Sequence, residues 1–204
     1  MKIRQLNVND TQEFCNLIVN MYSDLENLEW FSPMPYDYEN VKSIIENPRF
    51  YIIGGFIDSK LCAVSSLDYK CGKLIGKINF PHNCNTEKLV EFGFTMVHSN
   101  FKGQGIMKIL VDFLIEKAKK DGLEWAFGKV NVNNFASSKS LLKKGFEVFC
   151  PYAKPVNKED FIALSSQEFF SKRGKENAKI TLEKFKDKDE IIVDYNIMMK
   201  DLRI

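Results

Sequence analysis

Val97-His98-Ser99-Asn100-Phe101-Lys102-Gly103-Gln104-Gly105-Ile106-Met107 is the stretch on which the fold of this 204-residue chain turns. The residues before it, 89–97, read as a strand. After it, Ile106, Ile109, Leu110, Phe113 and Leu114 recur at helical spacing until Lys117, Lys119, Lys120 and Gly122 close the run. The change from period two to period 3.6 therefore falls on a glycine-containing turn. At such a junction the first backbone N–H groups of the helix are unpaired and the helix dipole favours an anion. A pyrophosphate fits there: Gly103 and Gly105 let the backbone close on it, and Lys102 and Lys108 add positive charge. Alone, the turn is equally well a tight strand-to-helix connection. A dinucleotide-binding fingerprint needs a third glycine where Lys108 stands, and a P-loop needs Gly-Lys-Ser/Thr after four spacers; neither is present.

Working outward, residues 125–132 read as a strand, 134–144 as a helix stopped by Gly145, and 146–152 as a strand, which makes a βαβ arrangement. Upstream, residues 3–8 form a short strand, and Asp10 with Glu13 makes a capping box for a helix carrying Phe14, Leu17, Ile18 and Met21 on one face. An apolar loop, Glu29-Trp30-Phe31-Ser32-Pro33-Met34-Pro35-Tyr36, leads to a helix from Tyr38 that ends before Pro48. Residues 50–57 and 61–67 then form a hairpin across Asp58-Ser59-Lys60. Downstream, Asn157 caps a helix over 158–172, and 179–185 with 191–201 reads as a second hairpin. The sequence predicts one domain: a core over about 1–152, a final strand near 191–202, and an insertion over about 153–190.

Composition narrows the class. With 45% hydrophobic and 27% charged residues the chain is an ordinary globular one, able to bury roughly 70% of its unfolded surface. That excludes a mainly disordered, collagenous or disulfide-stapled protein. Twenty-nine Lys+Arg against 27 Asp+Glu leave a net charge of +2, which does not advertise a nucleic acid or a membrane surface. The cysteines (Cys15, Cys62, Cys71, Cys84, Cys150) are odd in number and lack a CxxC pair, and His82 and His98 stand apart, so we expect free thiols and no metal site. The polar start MKIRQLNVND and the lack of a long apolar run predict a soluble, cytoplasmic protein.

The stretch from Val97 to Met107 resembles the hallmark of the GNAT acetyltransferases, Val-His-Pro-Glu-Tyr-Arg-Gly-Lys-Gly-Ile-Gly. Ser99 stands for Pro, Phe101 for Tyr, Lys102 for Arg and Met107 for the last Gly. Asn134, Ser137, Lys143 and Gly145-Phe146 match a second signature of the family at the expected spacing. The resemblance implies a mixed α/β (α+β) fold with a mostly antiparallel sheet flanked by helices. It implies acetyl-coenzyme A as cofactor, held by Met96, Val97, His98, Lys102, Gly103, Gln104, Gly105, Ile106, Met107, Lys108, Asn134, Ser137 and Lys143. One departure is chemical: where many members carry a Tyr thought to protonate the departing thiolate, this chain has Leu141.

The resemblance further implies direct acetyl transfer to a primary amine, in a small molecule or a peptide, within a ternary complex of a monomer or homodimer. An alkyl amine with a pKa near ~10.4 is mostly protonated at neutral pH, so the reaction needs a base. Glu91, six residues before Val97, is the candidate, acting through one ordered water; the competing reading is a solvated strand residue. Trp30, Phe31 and Tyr36 are candidates to line the acceptor pocket, although aromatic clusters are more often core. Asp24, Glu26 and Glu29 beside them carry charge suited to a cationic acceptor. An alternative reading, motivated by Leu141, is a coenzyme A-binding sensor that has lost turnover. A weaker one is a nucleotide-binding protein using the same turn.

Overall fold

The computed structural model describes residues 1–30, 34–71 and 77–204. Seven strands form one sheet: β1 (Lys2–Gln5), β2 (Phe50–Ile57), β3 (Lys60–Asp68), β4 (Leu89–Val97), β5 (Trp125–Asn131), β6 (Glu147–Asn157) and β7 (Glu190–Asp201). Their order is β1-β2-β3-β4-β5-β7-β6. Every neighbouring pair is antiparallel except β4 and β5. The parallel pair is the expected βαβ unit, crossed by α3 (Ile106–Lys120). The β2–β3 hairpin turns at Asp58 and Ser59, whose φ values of 49° and 65° match the twist that two-residue hairpin turns require.

Two helical layers cover the sheet. On one face, α1 (Thr11–Ser23), α2 (Tyr38–Glu46), α5 (Lys158–Ser165) and α6 (Lys172–Lys184) bury Phe14, Ile18, Tyr22, Val41, Phe161 and Ala178 against Ile52, Val64, Met96, Val193 and Tyr195. On the other, α3 and α4 (Phe135–Leu142) bury Ile106, Leu110, Leu114 and Leu141 against Ile53, Ala63, Val90, Phe92, Ala126 and Val130. The alternation of each strand sends one set of side chains into each layer.

Several expectations are corrected. The first strand stops at Gln5, because Asn7 caps a 3-10 turn over Val8–Asp10, in a capping box with Asp10. Asp10 makes no side-chain cap to α1; it holds Arg4 in a two-pronged pair at 2.7 Å. Glu13 accepts the Leu61 amide at 3.0 Å, tying α1 to the sheet. The last hairpin is not formed: 179–184 belong to α6 and Phe185 is its C-cap; the helix starts at a Ser171 cap and buries the small residues Gly174, Ala178 and Thr181. Ile180, which suggested a strand, is 69% exposed. β7 instead enters between β5 and β6, and β6 extends beyond 152 to Asn157.

Candidate active site

The quoted turn forms as the change of period predicts. β4 ends at Val97, a 3-10 turn covers Ser99–Phe101, and α3 begins after Gly105. His98 caps the short turn, its Nδ1 accepting the Asn100 amide at 3.2 Å. Gly103 and Gly105 both adopt left-handed backbone, φ 77° and 75°, and a Cβ on either would meet nothing within 4 Å. From Gly103 to Lys108 no backbone amide is hydrogen-bonded to another described residue. The turn is thus an open bowl of N–H groups at a helix N-terminus, suited to a phosphate. Its position is fixed from α1: Asn20 accepts the Ser99 amide at 2.9 Å, and Lys102 pairs with Asp24. Lys102 is therefore turned to α1, while Lys108 stands exposed on the first turn of α3.

Beside the bowl the sheet opens. β4 pairs with β5 only from Leu89↔Trp125 to Phe92↔Gly128, although both strands continue. The divergence has a local cause in β4. Ser65 pairs with Thr95 and Leu67 with Phe92, so Ser66 faces both Gly93 and Phe94 across a β-bulge, which bends a strand and raises its twist. Gly93 suits the site, since a Cβ would lie 2.5 Å from Ser66 Oγ and force that hydroxyl to shift. Met96, Val97 and His98 follow the bulge, and β4 stays joined to β3 through the His98 amide and Cys62 carbonyl at 2.9 Å.

A cavity of about 280 Å³ occupies the opening. Met107, Asn134, Ser137 and Leu141 line it from the α3/α4 side, and Trp30, Met34, Ser66, Glu91, Lys129 and Tyr195 from the other. The Trp30 Nε1 and Ser66 Oγ atoms are buried without a hydrogen-bond partner among the described residues. Asn134 caps α4, its side chain accepting the Ser137 amide at 3.2 Å.

Glu91 is 5% exposed, so it is no solvated strand residue. Lys129 Nζ donates to its Oε1 at 2.9 Å. Burial pushes the Glu91 carboxyl above its ordinary value, with Lys129 pulling the other way. Asp68, directly opposite on β3, has its own cation: Arg49 Nε donates to Oδ1 at 2.7 Å, and a second guanidinium nitrogen holds Oδ2. Two facing carboxylates are tolerated because each is separately paired.

The structure thus brings Glu91, Trp30, Met107, Asn134 and Ser137 to one cavity. Tyr36 does not line this cavity; it is half-buried against the core, edge-on to Phe169 at 5.0 Å. Phe31 lies outside the described residues. Lys143 is exposed at the end of α4. Asp24, Glu26 and Glu29 fix the loop: they bind Lys102, Arg173 and the Thr181 hydroxyl. Sequence reasoning missed Lys129, whose signal was a lone cation inside the apolar strand Trp125–Asn131, and Ser66, Asp68 and Tyr195, which carried none. Among the described residues no group of His, Cys, Asp and Glu could hold a metal ion, and no helix is long and apolar enough to cross a membrane.

A search of curated protein sequences gave no match. Solved structures match over nearly the whole chain. An N-acetyltransferase from Staphylococcus aureus Mu50 superposes with a TM-score of 0.65 at 14% identity, covering 98% of each chain. A ribosomal-protein-alanine N-acetyltransferase from Brucella melitensis gives 0.64 at 17% identity, covering 98% of this chain and 99% of that one. A putative acetyltransferase from Salmonella typhimurium, solved with its cofactor acetyl-CoA, gives 0.63 at 15%, covering 99% and 94%. These likenesses establish the fold. Residues 18–146, which contain the turn, the opened strands and α4, match the Acetyltransferase (GNAT) family, and the chain belongs to that family.

Proposed function

We propose that the protein is an acetyl-CoA-dependent N-acetyltransferase that acylates a primary amine of a small molecule or peptide by direct transfer. The open amides of Gly103 to Lys108, set beside a cavity that holds a buried carboxylate, carry this reading. The bowl accepts the diphosphate through backbone N–H groups, with Lys108 adding charge. The edge of β4 from Met96 to His98 that has parted from β5, while still joined to β3, takes the pantetheine arm, and Asn134 and Ser137 border it. When bound, acetyl-CoA supplies an activated acyl thioester. Glu91 takes the amine proton through one water. Burial raises its pKa, which makes it a better base than a surface carboxylate, and Lys129 favours its ionised form. Trp30 and Met34 cover the acceptor.

Leu141, buried and without a polar atom, favours the second reading, a coenzyme A sensor without turnover. Purified protein is incubated with acetyl-CoA and a panel of primary amines, free thiol is followed, and acetyl-CoA and ATP are compared by calorimetry. Amine-dependent thiol release is the expected result. Binding of acetyl-CoA without release would favour the sensor, and preference for ATP would reject both.

A further inference from the structure

Leu141 presents only methyl groups to the cavity, so that turn of α4 offers no proton where the family resemblance implies a hydroxyl. The opposite wall does. Tyr195, 5% exposed, lines the same cavity from β7, and its Oη donates to the Glu29 carbonyl at 3.4 Å, a long bond that also competes with Asn131 Nδ2 at 3.3 Å. β6 sets a lysine beside it. Tyr195 pairs with Tyr152 and Val193 with Lys154, so Lys154 is the diagonal neighbour of Tyr195. Both point to the inner face: Tyr152, Lys154 and Val156 are half-buried between exposed Ala153 and Pro155, and Val193 and Tyr195 are buried around exposed Asp194. Diagonal neighbours lie about 7–8 Å apart, a span that lysine and tyrosine side chains close.

We propose that Tyr195 Oη, held beside the Lys154 ammonium, delivers the proton taken up by the departing sulfur, replacing the hydroxyl that Leu141 lacks. This rests on the acetyltransferase reading. In the balanced step the amine nitrogen bonds to the acyl carbon and the carbon–sulfur bond breaks, its electron pair staying on sulfur. The amine proton passes through water to Glu91, sulfur takes the Tyr195 proton, and the phenolate regains one from the Glu91 carboxyl or solvent. Burial and Lys129 pull the Lys154 pKa below its ordinary value while Glu91 pulls it up; in its protonated form the ammonium favours a neighbouring phenolate over the phenol. The charged and titratable groups around this point are Glu91 from β4, Asp68 with its partner Arg49 beside β3, Lys129 from β5, and Tyr152 and Lys154 from β6; the Glu29 carboxylate is turned away to Thr181.

The test uses coenzyme A itself, in its thiol form, with wild type, Tyr195→Phe and Lys154→Met. The ultraviolet difference spectrum with and without coenzyme A follows ionisation of the bound thiol against pH. A phenol that donates to sulfur stabilises the thiolate, so the bound thiol should ionise at least one pH unit lower in wild type than in Tyr195→Phe, a tenfold change in its ionisation constant. Lys154→Met should fall between them. With an accepted amine, Tyr195→Phe should lower kcat by about 10²-fold or more at unchanged coenzyme A affinity. Coincident titrations for wild type and Tyr195→Phe overturn the proposal even if kcat falls, because Tyr195 then only anchors the loop at Glu29. If Tyr195→Phe does not fold, Lys154→Met decides by the same titration. Wild type that fails to bind coenzyme A overturns the acetyltransferase reading first, and this inference with it.

Discussion

Glu91 and Asp68 stand opposite one another on adjacent strands, and burial holds the Glu91 carboxyl above its ordinary pKa. Its partner Lys129 is a single point charge, which does not offset the desolvation. If Glu91 takes the amine proton, Glu91→Gln keeps shape and hydrogen bonding but removes basicity, and kcat should fall by about 10²- to 10⁴-fold with acetyl-CoA affinity unchanged. The deficit should shrink as pH approaches the pKa of the amine, where free amine is supplied by solvent; a pH–rate profile of both proteins decides, and a deficit independent of pH would make Glu91 structural. The same residue has a stability signature. Because its folded pKa lies above the unfolded value of 4.5, its contribution is greatest below 4.5 and is lost as pH rises through the folded pKa. Urea unfolding across that window should show wild type losing stability relative to Glu91→Gln as pH increases.

The turn before α3 and the bulge in β4 each depend on a glycine, for different reasons. At Gly105 the space is open and the backbone is left-handed, so Gly105→Ala and Gly105→Val both introduce strain of about 1–2 kcal/mol, larger for the β-branched residue. If the bowl holds the diphosphate, calorimetry should show acetyl-CoA affinity falling further for Val than for Ala while the fold persists. At Gly93 the backbone is ordinary and the space is missing. Gly93→Ala should destabilise by about 1–3 kcal/mol, and adding Ser66→Ala, which removes the crowding Oγ, should recover most of that loss in a double-mutant cycle. An additive cycle would show that the bulge is held by something other than this contact. At this scale glycine or a cap made some element ends legible, as at Asn134 and Gly145, whereas the cap read at Asp10 belongs one turn earlier, at Asn7. It was not legible in α6, whose buried stripe of Gly174, Ala178 and Thr181 lacks the large apolar residues that reveal a helix period.

Across the molecule, α5 and α6 join two strands that are already paired, since Asn157 meets Glu190. Their contacts run to the loop over the cavity: Ser171 Oγ donates to the Leu25 carbonyl at 3.0 Å, Asn177 Nδ2 to the Glu26 carbonyl at 2.7 Å and Thr181 Oγ1 to Glu29 at 2.6 Å. Replacing residues 158–189 by a short hairpin turn should therefore leave acetyl-CoA affinity within about threefold and raise the acceptor KM by about tenfold or more, with a lower Tm from the loss of Phe161 and Phe170 in the core. Equal losses in both substrates would mean that the helices support the whole sheet and not the loop alone. By itself the sequence determined the strand–turn–helix with its open amides, the βαβ order, the β2–β3 hairpin and Glu91 as a mid-strand acid, because these follow from local period and backbone stereochemistry. The tertiary structure alone decided that β7 slips between β5 and β6, that Lys129 and Arg49 each neutralise a buried carboxylate, and that Tyr195 comes within one cavity of Leu141. Those relations join residues far apart in the chain, and no local periodicity encodes which distant strand a given edge will pair with.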